Sequence, residues 1–345
     1  MKKARIIYNP ISGKGLMKRF LPDVLNELES MGYETSVFAT TAKKNSACKE
    51  ARRVSLLDFA LIVVAGGDGT INEVVNGVAK LKKRPKLAII PTGTTNDYAR
   101  ALKIPRTNPI DAIRILHKKQ TVKMDIGQAD DKYFVNIAAA GSLTELTFEV
   151  PSNLKKTFGY LAYLVKGAEI LPKIQPRNVR LTYDTGVYEG GISMFFVGLT
   201  NSVGGFETID PDAKFDDGKF SLLIVKQANV FEILRIIAAV LNGGKHIEDS
   251  KVIYTKTAKI KVETLNSNER LMINLDGDYG GDAPIKFCNL HQHIEFFANL
   301  DAISDKAVLG DQEQEKYEEV IQKYVHELEV VINEDLNGDG KIGKI

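Results

Sequence analysis

The first third of the chain alternates short apolar runs with segments whose apolar positions recur every three or four residues. Arg5-Ile6-Ile7-Tyr8 predicts a strand stopped by Asn9-Pro10. Leu21, Leu25 and Leu28 share one helical face, and Gly32 suits the end of that helix. Residues 34–40 predict the next strand and residues 47–57 the next helix. Leu61-Ile62-Val63-Val64-Ala65 is apolar at every position, as a parallel strand covered on both faces must be. The turn Gly66-Gly67-Asp68-Gly69-Thr70 follows, then a helix over residues 71–78, a buried strand over 87–90 and the turn Pro91-Thr92-Gly93-Thr94-Thr95. Asn108 before Pro109 has the form of an N-cap and first helical residue. Repeated strand-helix alternation predicts an α/β domain with an open, mostly parallel sheet.

After about residue 128 the rhythm changes. Short strands at 133–138, 179–183, 193–199, 220–225, 259–263 and 271–275 dominate, with helices at 155–170 and 230–241 between them. Ile260 and Val262 alternate with Lys259, Lys261 and Glu263, so that strand has one wet face. The expected division is an α/β domain over 1–128, an antiparallel β-rich, sandwich-like domain over 129–289, and a charged helical tail over 311–345. A strand at 293–297 belongs to either domain, and residues 290–310 are candidates to complete the first. The helix at 154–171, with Phe158, Tyr160 and Leu161, is expected to be domain core. His291 and His293 share one strand face without acidic or cysteine partners, which reads as packing. Residues 335–342 fit the first eight positions of an EF-hand loop, but the acidic twelfth position falls beyond Ile345, so a polar tail is the favoured reading.

Composition narrows this little. Of 345 residues 44% are apolar and 26% charged, as in a folded protein large enough for two domains. A net charge of +2 gives no argument for nucleic acid. Cys48 and Cys288 lack metal-like spacing and read as buried thiols in a reducing, cytoplasmic compartment. The start, MKKARIIYNP, has no apolar core of the kind a cleaved leader needs. No run reaches the roughly 18 apolar residues that span a bilayer; the nearest, 230–241, carries Glu232 and Arg235. Any work on membrane lipid is therefore expected from the surface.

Candidate chemistry lies in the turns. Asn9-Pro10-Ile11-Ser12-Gly13, Gly66 to Thr70, and Gly93-Thr94-Thr95-Asn96-Asp97 all follow predicted parallel strands. Glycine lets the backbone approach a phosphate closely, and a following helix adds unpaired N–H groups and a positive dipole end. Ligands of open α/β sheets bind at that carboxyl edge. Asp68 inside such a turn would repel phosphate unless a cation intervenes; equally, it suits an Asx-turn or helix cap. No G-x-x-x-x-G-K-[ST], no G-x-G-x-x-G in a strand-helix context and no H-R-D with D-F-G is present, which excludes P-loop and protein-kinase sites.

Gly66-Gly67-Asp68-Gly69-Thr70-Ile71-Asn72-Glu73-Val74 resembles the nucleotide signature of the diacylglycerol kinase catalytic-domain family, whose Gly-Gly-Asp-Gly core is shared with NAD kinases. Asn9-Pro10 with Ser12-Gly13, Pro91 to Asp97 with Ala99-Arg100, Asp125-Ile126-Gly127, Asn201 with Gly204-Gly205-Phe206, Asp216-Asp217-Gly218 and Leu275-Asp276-Gly277-Asp278 are similar to the lipid-kinase branch. The resemblance runs from about residue 3 to 300. It implies a nucleotide-binding first domain with ATP lying across Asn9, Pro10, Ile11, Ser12, Gly13, Thr40, Gly66, Gly67, Asp68, Gly69, Thr70, Ile71, Asn72, Gly93 and Thr94. It implies a general base at Asp278 with Asp276 beside it, although the family usually carries Glu at 278. It implies Mg²⁺ on Asp217 and the carbonyls of Lys214 and Lys219, linked through water to Asp68, Asp97 and Asp125; by itself, Asp216-Asp217-Gly218 reads as a hairpin turn. It implies an anionic membrane surface met by Lys14 and Lys166. Arg100 joins these two as a basic candidate for that surface, and all three read equally as solvated side chains. A homodimer and transient residence at the inner face of the membrane are also implied. The implied reaction is phosphorylation of diacylglycerol by MgATP; another lipid alcohol, such as phosphatidylglycerol or a sphingoid base, or NAD, remains as an alternative acceptor.

Overall fold

The computed structural model describes residues 1–141, 176–199, 216–229, 249–266 and 269–302, with residues 232, 233, 235, 236, 239 and 247 between them. The expected helix at 155–170, most of that at 230–241, the tail at 311–345, and residues Lys166, Asn201, Gly204 to Phe206 and Lys214 lie outside the described residues.

The α/β part runs β1 (Lys2–Tyr8), α1 (Leu16–Ser30), β2 (Tyr33–Ala39), α2 (Ser46–Ser55), β3 (Leu61–Gly66), α3 (Asp68–Val78), β4 (Lys86–Pro91), α4 (Asp97–Ala101) and α5 (Pro109–Arg114). Its strands are parallel in the order β2-β1-β3-β4. Every residue of β3 is buried, which explains its unbroken apolar run. At the start of α5, Asn108 Oδ1 accepts from the Ile110 amide at 2.9 Å and Pro109 takes the position where no amide is needed.

The β-rich part comprises β5 (Thr121–Ala129), β6 (Lys132–Phe134), β7 (Ile137–Gly141), β8 (Arg177–Tyr183), β9 (Gly186–Gly198), β10 (Phe220–Lys226), β11 (Val252–Thr257), β12 (Lys259–Thr264), β13 (Met272–Leu275), β14 (Asp278–Asp282) and β15 (Ile285–Phe297). Its pairings are antiparallel, in the order β14-β13-β7-β9-β8-β12-β15, with β10 and β11 branching from β9. Among the described residues three hydrophobic clusters form, and two of them are large. One packs Ile6, Val63, Ile89, Tyr98 and Met124 with Phe296; the other packs Phe134, Phe195, Phe220, Ile273 and Phe287.

Several elements differ from expectation: β5, β11 and β14 fall where no strand is expected, and β9 starts seven residues before the expected strand at 193–199. The strand expected at 293–297 is the end of β15, a 13-residue strand. Its first half pairs β12, whereas Phe296 pairs Leu87 of β4 in parallel, so it joins the antiparallel and the parallel strands into one continuous sheet. The expected strand at 133–138 is split into β6 and β7, because the amides of Val135 and Asn136 turn to a carboxylate. Helix α3 starts at Asp68, three residues before the expected Ile71, so the glycine turn is the first turn of the helix.

Candidate active site

Sheet pairing carries the three loops to one edge. Beyond the strands, Asn9 N donates to Ala65 O at 2.9 Å, Thr40 N to Tyr8 O at 2.9 Å and Thr92 N to Gly66 O at 3.0 Å. Asn9 Oδ1 accepts from Ile11 N at 3.1 Å, closing a local turn. Ser12 Oγ donates to Thr92 O at 2.8 Å and joins the first loop to the third. The second and third loops touch backbone to backbone: a Cβ on Gly93 would fall 2.5 Å from the Gly67 Cα. No side chain fits there, which is the physical need for both glycines. Asn96, in the left-handed region at φ 52, brackets Gly93 by accepting from its amide at 2.9 Å and donating to its carbonyl at 3.0 Å.

These loops enclose a cleft of about 740 Å³. Of the expected nucleotide residues, Asn9, Ile11, Ser12, Gly13, Thr40, Gly67, Gly69, Thr70, Gly93 and Thr94 line it, and Asp278 faces it from the β-rich part. Lys14 lies at the same lining, exposed. Thr41, Ser46, Ala47, Glu73 and Thr92 also line it and were not anticipated. Hydroxyls and one acid give no spacing signal; Glu73 was visible only as part of the glycine signature. It accepts from Ala47 N at 2.9 Å and so fixes the start of α2 against α3. Pro10, Gly66, Asp68, Ile71 and Asn72 stand behind the lining. Ile71 is in the core.

Asp276 and Asp278 of the β13–β14 hairpin have different surroundings. Leu275 pairs Asp278 across the two-residue turn Asp276-Gly277, in which both residues have positive φ, as a type I′ turn requires. The Asp276 carboxylate points inward and is saturated. Oδ1 accepts from the Asn136 and Ile137 amides at 2.9 and 2.8 Å; Oδ2 accepts from the Val135 amide at 2.7 Å and Asn72 Nδ2 at 2.6 Å. Burial pushes its pKa up, and those four donors oppose the shift. With every acceptor direction taken, Asp276 has no room for a substrate proton, whereas Asp278 is exposed to the cleft.

Asp68 is the opposite case. It begins α3, where the helix dipole favours a carboxylate. Yet burial, then the charges of Asp97 and Asp276, push it up from 3.8 to about 6, against hydrogen bonds from Thr95 Oγ1 at 3.0 Å and Tyr98 N at 3.3 Å. Asp125 is buried; Oδ1 accepts from Gln292 N and Oδ2 from Gly218 N, both at 2.7 Å, and burial raises its pKa. Asp125 thereby grips the turn that holds Asp217, which is exposed and accepts from Lys219 N at 3.0 Å. His291 contacts the Asp216 carbonyl at 2.8 Å and His293 the Ala79 carbonyl at 2.8 Å, so the two histidines go separate ways.

Uncompensated negative charge around Asp68, with only hard oxygen donors, suits Mg²⁺ held largely through water. Among the described residues no three His, Cys, Asp or Glu side chains form a metal-holding group by themselves. Arg100 corrects an expectation: it is 9% exposed, and its Nε donates to Thr95 O at 3.0 Å, so it braces the third loop and presents no charge to a leaflet. Among the described residues no helix is long and apolar enough to cross a membrane.

A glycine-loop cleft at the carboxyl edge of parallel strands, faced by one carboxylate from the antiparallel part, defines a phosphoryl-transfer enzyme of the two-domain kinase class. Residues 3–129 match the diacylglycerol kinase catalytic domain, and residues 146–297 match the YegS C-terminal NAD kinase beta sandwich-like domain. A diacylglycerol kinase of Bacillus subtilis is 50% identical over 294 residues, spanning 85% of this chain and 95% of that one. One of Staphylococcus epidermidis is 46% identical over 310 residues, spanning 90% and 96%. Among solved structures, a diacylglycerol kinase of Bacillus anthracis superposes with a TM-score of 0.67 at 25% identity, covering 88% of this chain and 98% of that one. A second crystal structure from that organism gives 0.77 at 27%, covering 88% and 97%. The chain belongs to the diacylglycerol kinase family, and it is accordingly a kinase with an α/β domain and an antiparallel β-rich domain.

Proposed function

We propose that the enzyme transfers the γ-phosphoryl group of ATP to the hydroxyl of diacylglycerol, giving phosphatidic acid, from the cytoplasmic side of an anionic membrane surface. The observation that carries this reading is Asp278 facing the cleft that the three glycine loops enclose. The triphosphate lies along residues 9–13, Thr40, residues 66–72, Gly93 and Thr94, where loop amides and the start of α3 receive its charge. Asp278 takes the hydroxyl proton as the lipid oxygen bonds to the γ-phosphorus; the bond to the β-phosphate oxygen breaks and ADP departs. Asp276 holds the hairpin and leaves the proton to Asp278. Asp217 and the carbonyls of Lys214 and Lys219 would hold Mg²⁺, with Asp68, Asp97 and Asp125 reached through water, and the ion would supply positive charge to the transferring group. Lys14 and Lys166 meet the membrane, each contributing up to about 1 kcal/mol beside anionic lipid. The enzyme works as a homodimer.

The test is γ-labelled ATP offered with diacylglycerol, phosphatidylglycerol, a sphingoid base and NAD in mixed micelles. Labelled phosphatidic acid is expected as the main product. Faster labelling of another acceptor overturns the substrate assignment. Asp278→Asn should lower turnover by about 10²- to 10⁴-fold, as loss of a general base does, with ATP binding kept.

A further inference from the structure

Asp278 sits on a strand that is poorly held by itself. β14 has five residues, includes Gly280 and Gly281, and among the described strands pairs only with β13, across a register shift between Ile273 and Asn274. Gly281 is in the left-handed range at φ 128. A base needs placement to within about 0.5 Å, and aspartate has one methylene less than the glutamate usual in the family, so it has less reach to absorb an error. Asp276 secures only the turn end of the hairpin.

The opposite face of β14 carries a polar cluster. Strand alternation turns Tyr279 away from Asp278. Tyr279 OH donates to Asp282 Oδ2 at 2.8 Å and accepts from Arg270 Nη2 at 3.1 Å. Arg270 Nε is 3.0 Å from both Asp282 oxygens. Two cations lie near the Tyr279 ring, Lys132 Nζ at 5.6 Å and Arg270 Cζ at 5.7 Å from its centroid. Lys132 Nζ also donates to Gly280 O at 3.0 Å and Tyr279 O at 3.3 Å. Lys132 belongs to β6, outside the hairpin, so it ties the edge strand to the body of the fold. Arg270 is 63% exposed and Tyr279 45%. Exposed pairs of this kind add little to global stability, but four interlocking side chains fix one strand position.

We propose that Lys132, Arg270, Tyr279 and Asp282 form a clamp that positions Asp278 for proton removal, a role that rests on Asp278 being the base. None of the four lines the cleft, so they are positioning residues. The test combines Lys132→Met with Arg270→Gln, in the parent and in Asp278→Glu. In the parent the pair should lower kcat about 10- to 100-fold, the scale of a misplaced catalytic group, with KM for ATP and the urea midpoint unchanged. In Asp278→Glu, where the longer side chain tolerates displacement, the same pair should cost under about three-fold, a non-additivity expected only of coupled sites. Equal losses in both backgrounds, unchanged kcat, or an effect confined to KM or stability overturns the clamp. Full activity of Asp278→Asn instead overturns the base assignment, so the two failures are told apart.

Discussion

Asp68-Gly69 and Asp276-Gly277 are the same dipeptide in two turns, and the fold treats their carboxylates in opposite ways. Asp276 is met by four donors at 2.6 to 2.9 Å. Asp68 has two, at 3.0 and 3.3 Å, and faces the charges of Asp97 and Asp276. Both are pushed up by burial. The difference is what the surroundings return: amide dipoles complete one acid and make it a strut, while the other stays short of positive charge. A cation would complete it. Stability and activity therefore part company at these positions, as they do where a binding site keeps an uncompensated charge.

Breaking the strut should have the larger consequence. Asp276→Ala leaves three amides and Asn72 without their acceptor and should lower the unfolding free energy by about 3–5 kcal/mol, the scale of a broken buried charged network, read from urea denaturation. A loss below about 1 kcal/mol would erase the contrast. Removing one donor is gentler: Asn72→Ala should cost about 1.5–3 kcal/mol, as for a hydrogen bond to a charged group, measured the same way. At Asp68 the sign reverses. The folded pKa of about 6 lies above the ordinary aspartate value of 3.8, so the folded state holds more protons between those values. Its contribution is then fully present below about pH 4 and lost as pH rises through 6. Asp68→Asn removes that loss. Free of metal at pH 7.5 it should melt about 1–2 °C above the parent, the shift expected of about 1 kcal/mol in a chain this size, with the gap closing towards pH 4. Turnover should fall in the same variant. Thermal scans at both pH values check this, and a lower melting temperature at pH 7.5 would show Asp68 to be satisfied.

Much of this site was legible before any coordinates, because glycines after all-apolar runs mark both a buried parallel strand and a close backbone approach. What the sequence hid has physical causes. β14 reads Asp-Tyr-Gly-Gly-Asp, a composition poor in strand formers, and exists because its partner and the Tyr279 cluster hold it. The pattern of β15 is interrupted by His291-Gln292-His293, where pairing slips between Leu290 and Ile294, so one strand looked like a fragment. Arg100 looked like a surface cation because charge predicts exposure, but its guanidinium serves the carbonyl of Thr95. Thr41, Ser46 and Ala47 join the cleft only through the packing of α2 beside α3.

β15 has a mechanical consequence. A strand woven into both halves denies the enzyme a free swivel between them. Relative rotation becomes torsion along that strand, concentrated at its irregular stretch, where Gln292 has φ 48 and its amide is pinned by Asp125. The same carboxylate holds the Gly218 turn. Any relative twist of the two halves along that strand is thus felt at once by the loop of Asp217, which ties the placement of that acid to the angle between the glycine loops and the β-rich half.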